Sequence, residues 1–251
     1  MLFSVQPTNG FNPGSRTVTV FDFLFSCAAN DFLLEGLASG VVGMAGLGRT
    51  RTALPLQFPL LLALSPNSKG VIFFSDGPYV FPPNIDASDS LAFMPLFINP
   101  ANTASARARG EPSAEYFIGV KSIKVDDRVV PLNSALLSID SQGLGGTKIS
   151  TEHTWHAFGG IRADHPTCFA ENENLIWRIF GANLMVHVHE DMYCPGFVNG
   201  GSKPTISIVI GGHQLEDMLL QFDSATSRLG FSSALLRRQT TCADFNFTST
   251  A

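Results

Sequence analysis

Charge is what this 251-residue chain has least of. Asp, Glu, Lys and Arg together make up 15%, against roughly 25% in average soluble domains. What charge there is leans acidic, with a formal net of -5, so no basic face is on offer to nucleic acid or anionic lipid. No apolar run reaches the roughly 18–20 residues of a membrane-spanning helix. The greasiest stretch, Leu54 to Leu64, is short and interrupted by Pro55 and Pro59. A secretory leader is not expected either: Met1 to Val5 runs into the turn residues Pro7-Thr8-Asn9-Gly10 without a basic segment or a cleavage site. The four cysteines, Cys27, Cys168, Cys194 and Cys242, form no C-x-x-C pair, which argues against zinc or thioredoxin chemistry. Sustained 3.6-residue periodicity is missing as well, and that leaves an all-β fold.

Phe, Gly and Pro are plentiful, at 21, 23 and 15 residues. They appear as short apolar runs between turn clusters. Strands are expected over Ser15 to Leu24, Val71 to Phe74 and Tyr116 to Val125, with Asp126-Asp127 turning the last into Arg128 to Leu132. Further strands are expected at Leu175 to Phe180, Asn183 to Val188, Gly196 to Val198, Ile206 to Ile210, Leu219 to Asp223 and Ser227 to Phe231. Thr151 to Asn174 carries no convincing pattern. Asn99 to Ser113 reads as an exposed connector, with Arg107 and Arg109 as solvated loop charges. The chain thus divides into residues 1–98, a connector over 99–114, and 115–251.

Candidate chemistry is sparse. There is no Gly-x-Ser-x-Gly elbow for a serine hydrolase, and the Gly40 to Gly48 stretch lacks the Lys-Ser/Thr of a phosphate loop. His187 and His189 alternate on one strand, the spacing of a metal pair, but an edge strand running into the turn at Glu190-Asp191 explains them more simply. No metal or cofactor is expected. His213 is expected to pair with Asp217 or to cap the segment after Gly211-Gly212. Asn246-Phe247-Thr248 is a glycosylation sequon.

Several blocks, in order, resemble the pepsin-like aspartic protease superfamily: Ser39 to Gly48, Tyr116 to Val125, Ser207 to Gly212, and Leu219 to Asp223 with Arg228 to Phe231. A closer resemblance rests on F-L-F-S-C, L-L-E-G-L-A-S-G-V-V-G-M-A-G-L-G-R-T-R, G-G-T-K-I-S-T, I-V-I-G-G-H-Q-L-E-D and T-T-C-A-D-F-N-F-T-S-T. These look like the plant proteins of the xyloglucanase inhibitor, extracellular dermal glycoprotein and xylanase inhibitor family. The resemblance implies a bilobal pepsin-like fold with an incomplete N-terminal lobe, so that 1–98 is part of that lobe and 115–251 is the C-terminal lobe.

It also implies a secreted, disulfide-bonded, monomeric inhibitor of microbial cell-wall glycoside hydrolases without proteolytic activity. Aspartic proteolysis needs two carboxylates sharing a proton, and neither Asp-Thr-Gly nor Asp-Ser-Gly occurs anywhere in the chain. Ser150 stands where the second lobe would carry its acid, and Asp140-Ser141-Gln142-Gly143 reads as a turn. The resemblance places an inhibitory loop at Arg237, Arg238 and Gln239, with Arg238 as the inserted side chain. It pairs Cys168 with Cys194, leaves Cys27 and Cys242 without their usual partners, and implies a deletion between Thr151 and Leu175. The alternatives are an aspartic endopeptidase of the peptidase A1 type, or a truncated fragment without function.

Overall fold

A computed structural model describes residues 2–5, 17–25, 27, 45–57, 60–64, 70–73, 78–102, 111–150, 167–172, 175–189, 192–197, 199–200, 204–232 and 234–242. Short β-branched and aromatic runs between turn residues become short strands. In the first half these are β1 (Phe3–Val5), β2 (Val18–Val20), β3 (Leu60–Leu64), β4 (Gly70–Phe73), β5 (Val80–Phe81), β6 (Ile85–Asp86) and β7 (Ala92–Phe97). Next come β8 (Tyr116–Ile118), β9 (Ser122–Val125), β10 (Arg128–Val129), β11 (Thr147–Ile149), β12 (Thr167–Asn172) and β13 (Leu175–Ile179). The chain closes with β14 (Met185–His189), β15 (Met192–Pro195), β16 (Ile208–Ile210), β17 (Leu219–Asp223) and β18 (Arg228–Phe231). The helices are single turns, α1 (Leu54–Gln57) and α2 (Gly212–Leu215). The all-β expectation holds.

Eight strands form one sheet in the order β16-β11-β8-β7-β18-β17-β3-β4. Only the β11–β16 pair is parallel; the other seams of this sheet are antiparallel. Strands from both sides of the expected connector therefore interleave in a single sheet. A second sheet, β10-β9-β12-β13, stands beside it in the sequence of the second half.

Several expectations need correction. Tyr116 to Val125 is not one alternating strand but two, and Tyr116, Phe117 and Ile118 are all buried. Consecutive side chains point to opposite faces, so this unbroken burial means both faces of β8 are covered and alternation has no solvent side to report. Part of the patternless Thr151 to Asn174 stretch is β12, paired with β9 and β13. Gly196 and Phe197 of the strand expected at Gly196 to Val198 follow β15 rather than belong to it, and Val198 lies outside the described residues. The described ends of the connector are tied down rather than loose. Asn99 is fully buried, donates from Nδ2 to the Gly143 carbonyl at 2.9 Å and accepts the Ala101 amide at 3.0 Å. Its carbonyl takes the Ser113 amide at 2.9 Å. Arg107 and Arg109 lie outside the described residues.

Two apolar clusters hold the sheets. The larger centres on Trp177, which stacks on Phe231 with ring centroids 4.8 Å apart and donates its indole N–H to Met218 Sδ at 3.3 Å. Ile149, Ile210, Tyr116 and Phe222 pack in the same cluster. The smaller gathers Val71, Phe73, Tyr79, Phe81 and Ala87 around Leu219, Leu235 and Cys242.

Candidate functional site

Two places answer to the sequence-based expectations. The first is the end of β11. Gly145 and Gly146 adopt φ +90° and +75°, a region open to glycine, and a Cβ at Gly145 would run into the Ser138 carbonyl. The chain enters β11 from this turn and pairs with β8 and β16 at once. Ser150 follows, half-buried, with its amide donating to the Ile210 carbonyl at 2.9 Å. The nearby acids are otherwise engaged. Glu115 pairs with Lys148 at 2.6 Å. Asp140 Oδ1 accepts the amides of Gln142 at 2.8 Å and Leu144 at 2.9 Å, so Asp140 to Gly143 is the turn its residues suggested. Burial raises the pKa of Tyr116 on β8 well above the phenol value, and the Arg49 guanidinium only partly offsets this.

The second place is the segment from Leu235 to Cys242. Leu235 to Arg238 makes a 3-10 turn, and Gln239 closes it at φ 58°, ψ 35°. Leu235, Thr240 and Cys242 are buried at its base, whereas Leu236, Arg237, Arg238 and Gln239 are exposed at its tip. The two arginines differ. The Arg237 guanidinium sits 4.0 Å from the centre of the Phe180 ring, a cation–π arrangement. Among the described residues Arg238 reaches only the Asp86 carbonyl, at a long 3.4 Å from Nη1. A fork of N–H donors at an exposed tip can pair with a carboxylate on another molecule.

The remaining calls fall as follows. His213 pairs with Glu216, not Asp217: its Nδ1 is 3.1 Å from Glu216 Oε2. One helical turn puts positions three apart on the same side, and its Nε2 lies 3.2 Å from the Met185 carbonyl. His187 packs on Tyr193 with ring centres 4.8 Å apart, and a register shift interrupts the ladder between His187 and His189. Glu190 and Asp191 lie outside the described residues. Among the described residues no cluster of three or more His, Cys, Asp or Glu is placed to hold a metal. No helix there is long and apolar enough to cross a membrane.

Of the expected Cys168–Cys194 pair, the Cys168 side chain lies outside the described residues. Cys194 carries a free thiol on β15, which pairs only with β14, while Cys168 sits on β12 in the four-stranded sheet. Cys27 is an exposed free thiol. Asn246 lies outside the described residues. Sequence reasoning missed Asp217 as a partner of the arginine loop, and it missed the β5–β6 hairpin beside that loop.

Comparison with known proteins places this geometry. The xylanase inhibitor C-terminal family matches residues 115–158 and 167–233. The chain is 50% identical to a probable aspartic proteinase GIP2 of Nicotiana benthamiana, with 98% of this chain and 68% of that protein aligned. It belongs to this plant pepsin-like family. The crystal structure of edgp superposes with a TM-score of 0.86 at 44% identity, covering 99% of this chain and 73% of that one. Basic 7S globulin from soybean superposes at 0.71 with 30% identity, covering 99% and 71%. A gamma conglutin 1 of Prunus dulcis is 35% identical over 98% of this chain and 65% of its own length.

The chain thus spans about two thirds of the length of these family members. The alignment with GIP2 runs over 299 positions although it uses 98% of a 251-residue chain, so about fifty positions of that relative find no counterpart inside this one. The family match itself breaks between residues 158 and 167, within the stretch where the sequence implied a deletion.

Proposed function

We propose that this chain is a non-catalytic member of the family that binds and inhibits a microbial cell-wall glycanase, a xyloglucan endoglucanase or a xylanase, outside the plant cell. The observation that carries the reading is the arginine loop: an exposed Arg238 on a short turn whose base is buried. Retaining glycanases hold two carboxylates about 5 Å apart in an open cleft. A guanidinium entering that cleft can pair with a carboxylate in fork geometry, and in a low-dielectric site such a pair is stronger than in water. The family's xylanase inhibitor C-terminal domain supports the same partner class.

The non-catalytic half of the reading is supported by Ser150, which supplies a hydroxyl where pepsin-like chemistry needs an acid. The relative's name, probable aspartic proteinase GIP2, favours the competing endopeptidase reading. One experiment separates them. The purified chain should slow a fungal xyloglucan endoglucanase in a dose-dependent way, and Arg238→Ala should raise the inhibition constant by roughly 30-fold or more, a loss of about 2 kcal/mol. Cleavage of a peptide at acid pH that pepstatin blocks would overturn this assignment, as would a folded sample that inhibits neither a xyloglucanase nor a xylanase.

A further inference from the structure

The neck of the arginine loop is gripped from two sides. On one side stands Asp217, between α2 and β17. It is 5% exposed and adopts φ 52°, a left-handed conformation that Asp, Asn and Gly reach most easily. Its carbonyl accepts the Leu235 amide at 2.7 Å. Its Oδ1 accepts the Cys242 amide at 3.1 Å. One residue therefore ties both ends of the 235–242 segment and fixes the distance between them.

On the other side stands the β5–β6 hairpin. Thr240 Oγ1 donates to the Pro82 carbonyl at 2.8 Å. Tyr79, Phe81 and Ala87 pack in one cluster with Leu235 and Cys242. Leu219 Nα and Ser232 Oγ, joined at 3.0 Å, close the floor below. Both grips act on the buried residues 235, 240 and 242, and the hairpin meets the exposed tip through the long contact between Arg238 and the Asp86 carbonyl.

We propose that Asp217 is a positioning residue for Arg238, and that Asp217 and the Pro82 carbonyl form a two-sided clamp that presents the loop to its partner. The proposal rests on the inhibitor reading. A loop already held in its binding shape loses less freedom on association than one ordered by the partner. A hydrogen bond to a buried carboxylate is among the stronger restraints available at such a neck. The carboxylate acts here as an acceptor, not through its charge on the partner.

The test compares Asp217→Gly, which keeps the left-handed backbone and loses the acceptor, with Asp217→Asn, which keeps both. Amide exchange is measured at Leu236 to Cys242, and the inhibition constant is measured on the glycanase that the parent chain inhibits. Asp217→Gly is expected to speed exchange of the Cys242 amide at least tenfold and to weaken inhibition about tenfold. Asp217→Asn should stay within about threefold of the parent in both. In an Arg238→Ala background, Asp217→Gly should change inhibition less than twofold, because the positioned group is gone. An Asn variant as impaired as the Gly variant would overturn the clamp, and so would unchanged exchange at Cys242.

If Asp217→Gly does not fold, Thr240→Val carries the test. It should speed exchange across 236–240 and weaken inhibition several-fold, and no change in exchange would sink the proposal. The exchange measurements need no glycanase, so a failed inhibitor reading and a failed clamp give different results.

Discussion

The strand that ends at Ser150 and the loop that carries Arg238 use burial in opposite ways. β11 is flanked by strands on both edges, and Thr147 and Ile149 are 0% and 3% exposed. Everything there serves to fix the backbone, yet the residue it delivers is a serine. The arginine loop fixes its backbone with three buried residues and leaves four side chains in solvent. On the proposed reading, the rigidity of the first region has no acid to position. In the second it supports two guanidinium groups. A fold can keep the framework of one chemistry while another segment supplies the groups that meet a partner.

The largest test of that contrast falls on the framework. Trp177 is fully buried, and Trp177→Ala would remove the stack on Phe231 and leave a cavity in the larger apolar cluster. A loss of about 3–5 kcal/mol is expected in urea unfolding. At the exposed tip, Gln239→Asn, which tolerates the left-handed backbone there, should stay within about 0.5 kcal/mol. A tip variant that destabilised the chain as much as Trp177→Ala would erase the distinction between framework and presented groups.

A finer test separates the two arginines. Arg237 lies over Phe180, so Arg237→Ala should cost about 0.5–1 kcal/mol of stability. Among the described residues Arg238 has only its long contact to Asp86, so Arg238→Ala should leave the unfolding midpoint unchanged while it removes most of the inhibition. Matching losses of stability in both variants would show that Arg238 belongs to the framework after all.

Much of this was legible in the sequence, and the rest was hidden for physical reasons. β17 appears at its expected bounds because Leu219 to Asp223 carries apolar residues between clear turns. Asp126 and Asp127 sit at φ 56° and 60°, the mirror-image turn that their side chains tolerate. β12 was missed because Thr167 to Asn172 has too few apolar residues to show a period, and its pairing with β9 makes it a strand. The arginine loop was placed by resemblance. Its clamp was not, since Asp217 and Cys242 are 25 residues apart, and the nearer His213 offered a local partner instead. Asn99 misled for the same reason: a polar residue in a polar stretch looks exposed until Gly143, 44 residues away, arrives to take its amide.

Acid should act weakly and on both regions. Burial alone would raise the Asp223 carboxyl, but hydrogen bonds from Thr226 and the Arg228 guanidinium outweigh it and hold the group below its ordinary 3.8. Asp86, beside the arginine loop, follows the same pattern: burial pushes up, while the Ser88 hydroxyl and the Ser88 and Tyr79 amides pull it below 3.8. A carboxyl whose folded value is depressed stabilises the fold fully above the unfolded value and loses that contribution as pH falls through the folded one. Stability should therefore hold steady down to about pH 4 and then decline. Asp223→Asn should make that decline shallower through β17, and Asp86→Asn should do so through the hairpin beside Arg238. Urea midpoints at pH 5 and pH 3 measure both slopes. If Asp86→Asn leaves the slope unchanged while Asp223→Asn flattens it, the acid response belongs to the sheet alone, and the arginine loop keeps its shape in acid without help from its neighbour's charge.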